Sequence, residues 1–220
     1  MRKIPAKNCP QAWFGTSLMS WLFVIIVIGF VSRTSQAQVQ NTSATNQAAA
    51  ATEKSASEKY FTDVVLINQN GEKMRFYSDL LKGKVVIINS FFGTCQASCL
   101  PLNRNLEKVQ TALGDHVGKD VHIISISVDP TVDTAASLKE YAKKLHAKPG
   151  WYFLTGEKEN VDLALKKLGQ FVTDKNDHLN IFIIGNEPTG LWKKAFGLAP
   201  TEELVKVVES VLNDRPPSAP

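Results

Sequence analysis

The stretch "KVVIINSFFGTCQASCL", residues 84–100, decides how this chain is built. Its first half, "KVVIINSFF", is a continuous β-branched and aromatic run, the pattern of a central strand buried on both faces. Its second half breaks at Gly93 and carries Cys95 and Cys99, with Pro101 just beyond. Proline has no N–H and suits only the first turn of a helix, so a helix is predicted to start between about Ser98 and Pro101. Leu102, Leu106, Val109 and Leu113 continue it with a single apolar stripe. Strand, thiol-bearing loop and helix in succession place both cysteines at the carboxyl edge of a sheet, where open α/β sheets bind their ligands.

Outward from this unit the pattern repeats. "VHIISISV", residues 121–128, reads as a second buried strand, and "DTAASLKEYAKKLH" as a helix with Asp133 as its N-cap. "WYFL" (151–154) is a short strand, and residues 158–168 form a helix closed by Gly169. "IFII" (181–184) and "LWKKAF" (191–196) flank the turn "GNEPTG", and a last helix runs from Thr201 to Leu212. Upstream, "TDVVLINQNGEKMRFY" turns at Asn70-Gly71 as a hairpin. The expected fold is α/β: a central sheet flanked by helices, mixed and mainly parallel, with an antiparallel C-terminal hairpin and a preceding N-terminal hairpin. This order is similar to that of thioredoxin-like domains and spans residues 60–212, with 213–220 as a disordered tail.

The chain carries 25 basic and 21 acidic residues, a formal net charge of +4. Arg2, Lys3, Lys7 and Arg33 account for the whole excess, since residues 1–37 hold no Asp or Glu. No basic patch is left over for nucleic acid. Residues 1–11 read as a cytoplasmic n-region, and the uncharged segment 12–31 is long enough to span a bilayer. It reads either as a retained transmembrane anchor or as a signal peptide cleaved after Ala37; both export the rest of the chain. Residues 32–59, rich in Ala, Ser, Thr, Gln and Asn, read as a flexible linker.

The helix N-terminus beside Cys95 and Cys99 favours thiolate, so both are expected to be close together, open to ligand and acidic for thiols. A structural disulfide is the plainer alternative, but three intervening residues make a poor staple. Cys9 lies before the apolar segment and cannot meet the other two. His116 and His122 read as surface or edge residues, and His146 as a helix-end residue. His178, in "DKNDHLN" ahead of a strand, stands near the turn that faces the redox loop in thioredoxin-like topology, and by position alone is a ligand or a bystander. Two thiolates and an imidazole make a soft three-ligand set; structural zinc wants four, so copper comes first.

These residues resemble the Sco/SenC family, thioredoxin-fold factors that help assemble the binuclear copper centre of cytochrome c oxidase. The resemblance rests on "FFGTCQASC", on "ISVDPTVDT" (126–134) and on the histidine of "DHLN", and covers roughly residues 60–212. It implies Cys95, Cys99 and His178 as copper ligands and Cys95 with Cys99 as a redox pair. It places Asp129 and Asp133 at the acidic positions of the second signature. The implied partner is the copper-site subunit of cytochrome c oxidase or another exported cuproprotein, reached from the outer, periplasmic side of the cytoplasmic membrane. The family carries proline after each cysteine; Gln96 and Leu100 stand there, which predicts a looser loop. The competing activity is thiol-disulfide exchange without stable copper binding, which needs only Cys95 and Cys99. A peroxidatic P-x-x-x-T-x-x-C is absent, since Ile88 and Phe92 occupy the proline positions.

Overall fold

Strand β3 (Val85–Phe91) lies in the middle of the molecule with every residue buried, as its unbroken apolar run demands. In the computed structural model, which describes residues 56–95 and 97–215, it sits in a seven-stranded sheet of order β2-β1-β5-β4-β3-β6-β7. The other strands are β1 (Val65–Asn68), β2 (Lys73–Arg75), β4 (Val121–Ser127), β5 (Trp151–Thr155), β6 (Ile181–Asn186) and β7 (Leu191–Phe196). The sheet is mixed, as expected, but not mainly parallel, because β1 and β6 both run against the central strands they join. Parallel pairing is confined to β3, β4 and β5, while β1–β2, β1–β5, β3–β6 and β6–β7 are antiparallel.

The two-residue period of β3 and β4 divides the core into two layers. Val85, Ile87 and Phe91, with Val121 and Ile123, face one layer, covered by α2 (Cys99–Leu113), α3 (Ala135–Lys144) and α5 (Thr201–Leu212). Val86 and Ile88, with Ile124 and Ile126, face the other, covered by α1 (Ala56–Phe61) and α4 (Lys158–Leu168). Leu102, Leu106, Val109 and Leu113 are all buried on the first layer, the stripe their spacing predicts.

Four features depart from the sequence reading. Residues 56–59, assigned to the linker, belong to α1, which buries Phe61 and donates from the Tyr60 hydroxyl to the Lys167 carbonyl at 3.0 Å. Residues 76–81 form one π-helical segment that buries Phe76, Tyr77, Leu80 and Leu81. Helix α3 is capped by Thr134, whose hydroxyl accepts from the Ser137 N–H at 3.2 Å, and not by Asp133. At the C-terminal end, the Asp214 carbonyl accepts from the Asn186 amide, so the chain is held two residues past α5. Among the described residues no helix is long and apolar enough to cross a membrane; segments 1–11 and 12–31, Cys9 and residues 216–220 lie outside them.

Candidate metal centre

The strand-loop-helix unit delivers the two cysteines as its sequence requires. After β3 the chain turns at Phe92–Cys95, with the Cys95 N–H donating to the Phe92 carbonyl at 3.2 Å. Helix α2 then begins at Cys99 itself, leaving Pro101 in its first turn, where a missing N–H costs nothing. The Cys99 N–H points at the Cys95 sulfur, 3.4 Å away. Both cysteines are free thiols; Cys95 is half-buried and Cys99 fully buried.

The third group comes from far along the chain. A 3-10 turn at Lys175–Asp177 precedes β6, and His178 emerges from it almost fully buried. Its Nε2 lies 2.6 Å from the Cys99 Sγ, across 79 positions of sequence. The ligand atoms of Cys95, Cys99 and His178 all lie within 4.8 Å of one another. Two sulfurs and one imidazole nitrogen converging this closely fit a soft metal ion. Phe92 packs its ring 5.6 Å from the imidazole and shields it. The other imidazole nitrogen, Nδ1, is buried without a partner among the described residues, so none of these fixes the ring's tautomer.

The expectation of two exposed, acidic thiols fails at Cys99. Burial pushes its thiol far above the usual range, and the neighbouring Cys95 sulfur pushes it the same way. A backbone hydrogen bond from Phe92, where the loop leaves β3, opposes this but is outweighed. A dipole worth a fraction of a charge does not compensate for removing a thiolate from water. Burial likewise pushes the Tyr141 hydroxyl up to about 12, despite a hydrogen bond from Asn103. Tyr141 ends a polar chain behind the site: Trp151 donates to Ser125, Ser125 to Asn89, Asn89 to Asn103, and Asn103 to Tyr141. With each link between 2.7 and 3.1 Å, this chain fixes the first turns of α2 against β3 and β4.

Asp133, read as a helix cap, instead belongs to the site's support. It is 3% exposed, and its Oδ2 accepts the Gly93 N–H at 2.9 Å and the Ser127 hydroxyl at 2.5 Å. The carboxylate therefore ties the base of the cysteine loop to the end of β4. Only glycine fits at 93, where a Cβ would sit 2.7 Å from Asp133 Oδ1. Asp129 pairs with Lys175 at 2.6 Å, and the Lys175 ammonium lies 5.1 Å from the centre of the Phe92 ring. These contacts join all three loops around the thiols. The sequence offered a signal for Asp133 in Thr134, since two adjacent residues able to cap one helix leave one of them for another task.

The remaining histidines lie elsewhere. His116 pairs with Asp120 and His146 with Glu107, both exposed. His122 is on the central strand β4, not at an edge, stacked on Tyr152, and burial lowers its pKa, with Lys84 adding to the effect. Gln96, one of the two departures from the proline pattern, lies outside the described residues; Leu100, the other, is exposed at the start of α2.

With this geometry in view, comparison with known proteins decides the ancestry. The SCO1/SenC family model matches residues 49–212, three quarters of the chain. The chain belongs to the SCO1/SenC family. A SCO2-like protein of Rickettsia conorii is 35% identical over 109 residues, covering 50% of this chain and 51% of its own length. The SCO1 protein homolog of Bacillus subtilis is 34% identical over 109 residues, covering 48% and 54%. The matches thus span about half the length of these relatives. Among solved structures, yeast Sco1 with copper bound superposes with a TM-score of 0.58 at 26% identity, covering 70% of this chain and 94% of that one. BsSco, described as containing a disulfide switch and as a member of a family of cytochrome c oxidase assembly proteins, gives 0.58 at 27%, with the same coverage. The SCO1/SenC chain therefore has the thioredoxin-like fold expected of it, and its Cys-Cys-His cluster lies at the edge of the sheet where β3 ends and β6 begins.

Proposed function

We propose that this SCO1/SenC protein binds copper between Cys95, Cys99 and His178 and passes it to a copper site in another exported protein, the copper-site subunit of cytochrome c oxidase being the first candidate. The observation that carries the reading is the convergence of three soft ligand atoms within 4.8 Å, two from one loop and one from 79 residues away. Copper is the cargo. Cys95, half-buried, is the ligand a partner can reach, while Cys99 and His178 form the buried seat. Because Cys99 is held as a thiol, copper entry releases its proton. The domain works on the outer face of the cytoplasmic membrane, held there by residues 12–31 as an anchor or released to the periplasm if that segment is cleaved.

The test uses the reduced full chain with one equivalent of copper under nitrogen, comparing wild type with His178→Ala. A thiolate-to-Cu(II) absorption band, lost or altered in the variant together with resistance to a competing chelator, is the expected result. If neither protein retains copper, the assignment fails.

A second reading, thiol-disulfide exchange with a partner's cysteines, is favoured by one contact: the Cys99 N–H donates to the Cys95 sulfur, which holds the more accessible sulfur beside its potential resolving partner. In that reading the Cys95 thiolate attacks a partner disulfide, and the Cys99 thiol, losing its proton to a base, displaces the partner and closes a Cys95–Cys99 disulfide. Reduction of a test disulfide that survives His178→Ala unchanged, with no copper retained, would select it.

A further inference from the structure

At the end of the sheet away from the thiols, a cavity of about 590 Å³ opens between α1, the end of α4 and the β6–β7 turn. Tyr60, Phe61 and Trp192 supply its apolar surface, and Lys166, Lys167 and Lys194 its charge; among the described residues no Asp or Glu lines it. Two of these lysines lie over aromatic rings, Lys166 over Phe171 at 4.5 Å and Lys167 over Tyr60 at 4.9 Å. Trp192 is held in place: its indole packs across Gly185, where a Cβ would be 2.2 Å from the ring, and lies 5.3 Å from Phe61. Tyr60 remains 54% exposed.

We propose that this patch rests on an anionic phospholipid surface and orients the domain on the membrane. Trp and Tyr favour the headgroup layer, and lysines close to an anionic leaflet are attracted to it. Charge complementarity is joined by chain connectivity. Ala56 and Ser57 line the same cavity, so the chain enters the domain at this patch. Only residues 32–55 separate it from the uncharged segment 12–31, and 24 residues reach at most roughly 80 Å. The proposal thus rests on the reading of 12–31 as a retained anchor. A second copy of the chain suits the patch less well, because edge strand β7 carries Lys193 and Lys194, charges that oppose strand pairing.

The orientation has a consequence for the site. Trp192 pairs with Gly185 at one end of the β6–β7 ladder, while Ile181 pairs with Phe196 at the other, next to His178. Seating the Trp192 end on lipid sets the Cys-Cys-His cluster one strand length, roughly 15 Å, farther from the bilayer and open to a partner's exported domain.

The experiment reconstitutes the full chain into vesicles of phosphatidylcholine alone or mixed with phosphatidylglycerol and follows lysine acetylation by mass spectrometry. Lys166, Lys167 and Lys194 are expected to react severalfold more slowly than exposed Lys108 and Lys139 only when phosphatidylglycerol is present, and high salt should abolish the difference. Lys194→Gln should weaken the protection of Lys166 and Lys167 by about five-fold, the factor for one lysine at an anionic surface. Equal rates in both vesicles, with the chain retained in each, overturn the lipid patch and leave the anchor intact. A chain recovered outside both vesicles overturns anchor and patch together. Protection already present in neutral detergent micelles points to protein covering the patch and also overturns the proposal.

Discussion

Cys95 and Cys99 are four residues apart and chemically unequal, because the first reaches solvent and the second does not. With its pKa pushed up by burial, Cys99 stays a thiol through the neutral range, and only the thiolate reacts with alkylating agents. Alkylation of the native, reduced protein at neutral pH should therefore modify Cys95 first, with Cys99 slower by at least about ten-fold, the factor for one unit of pKa. Peptide mapping against time measures this, and equal rates would contradict the burial of Cys99. Asp133 makes a second prediction at the same scale. Asp133→Ala leaves the Gly93 N–H and the Ser127 hydroxyl without their shared acceptor and should cost about 1–3 kcal/mol in urea unfolding. It should also weaken copper retention, since the freed loop carries Cys95; Asp133→Asn, which keeps the shape, should lose less on both counts. At this scale the sequence was informative about the candidate ligands and far less so about their support. A cysteine pair and a histidine before a strand are visible because topology brings loop ends together. Asp133 was visible only as a helix cap and as a position of the family's second signature; its task was hidden, because its partners are a backbone N–H 40 residues upstream and a serine on another element.

Elements show the same division. Strands β3 and β4 and helices α2, α4 and α5 follow directly from apolar periodicity, since each is decided by its own residues. The π-helical segment at 76–81 is decided elsewhere. Its opening N–H groups, at Tyr77 and Ser78, donate to the Asp63 carboxylate at 3.1 and 2.7 Å, as does the Ser78 hydroxyl at 2.5 Å. A cap 14 residues upstream leaves no local signature, and Phe76 and Tyr77 read instead as the end of the hairpin. Burial works to raise the pKa of Asp63, but these hydrogen bonds together outweigh it and hold the carboxyl below its usual value. The native state then binds fewer protons than the unfolded chain between the two pKa values, so the contribution is complete above the unfolded value near 4 and is lost as pH falls through the folded one. Asp63→Asn should lower stability by about 1–2 kcal/mol at neutral pH, a cap-sized loss. The gap between variant and wild type should narrow on acidification below about pH 4. Urea unfolding at neutral and acid pH measures both, and a gap independent of pH would exclude the charged cap.

Across the whole molecule, one sheet serves two core layers, so neither layer can be lost without the other. Leu106→Ala on the site side and Leu165→Ala on the opposite side should each cost about 2–5 kcal/mol while unfolding remains a single transition. The proposed metal centre is built on that cooperativity. Cys95 and Cys99 follow β3, and His178 precedes β6, the antiparallel neighbour of β3. Unfolding separates the cysteines from the histidine by a span of 79 residues, so the complete ligand set exists only in the native state. A ligand that binds the native state alone stabilises it by mass action, about 4 kcal/mol when free ligand exceeds its dissociation constant a thousand-fold. For a domain of this size that corresponds to a rise in Tm of roughly 10 °C. Copper should therefore raise the Tm of the reduced protein by about that amount under strong binding, and His178→Ala should abolish most of the rise, because two cysteines four apart can still hold copper weakly in the unfolded chain. Calorimetry of both proteins with and without copper decides the matter. An equal rise in the variant would place the metal on the cysteines alone and remove His178 from the centre, even though its Nε2 lies 2.6 Å from Cys99.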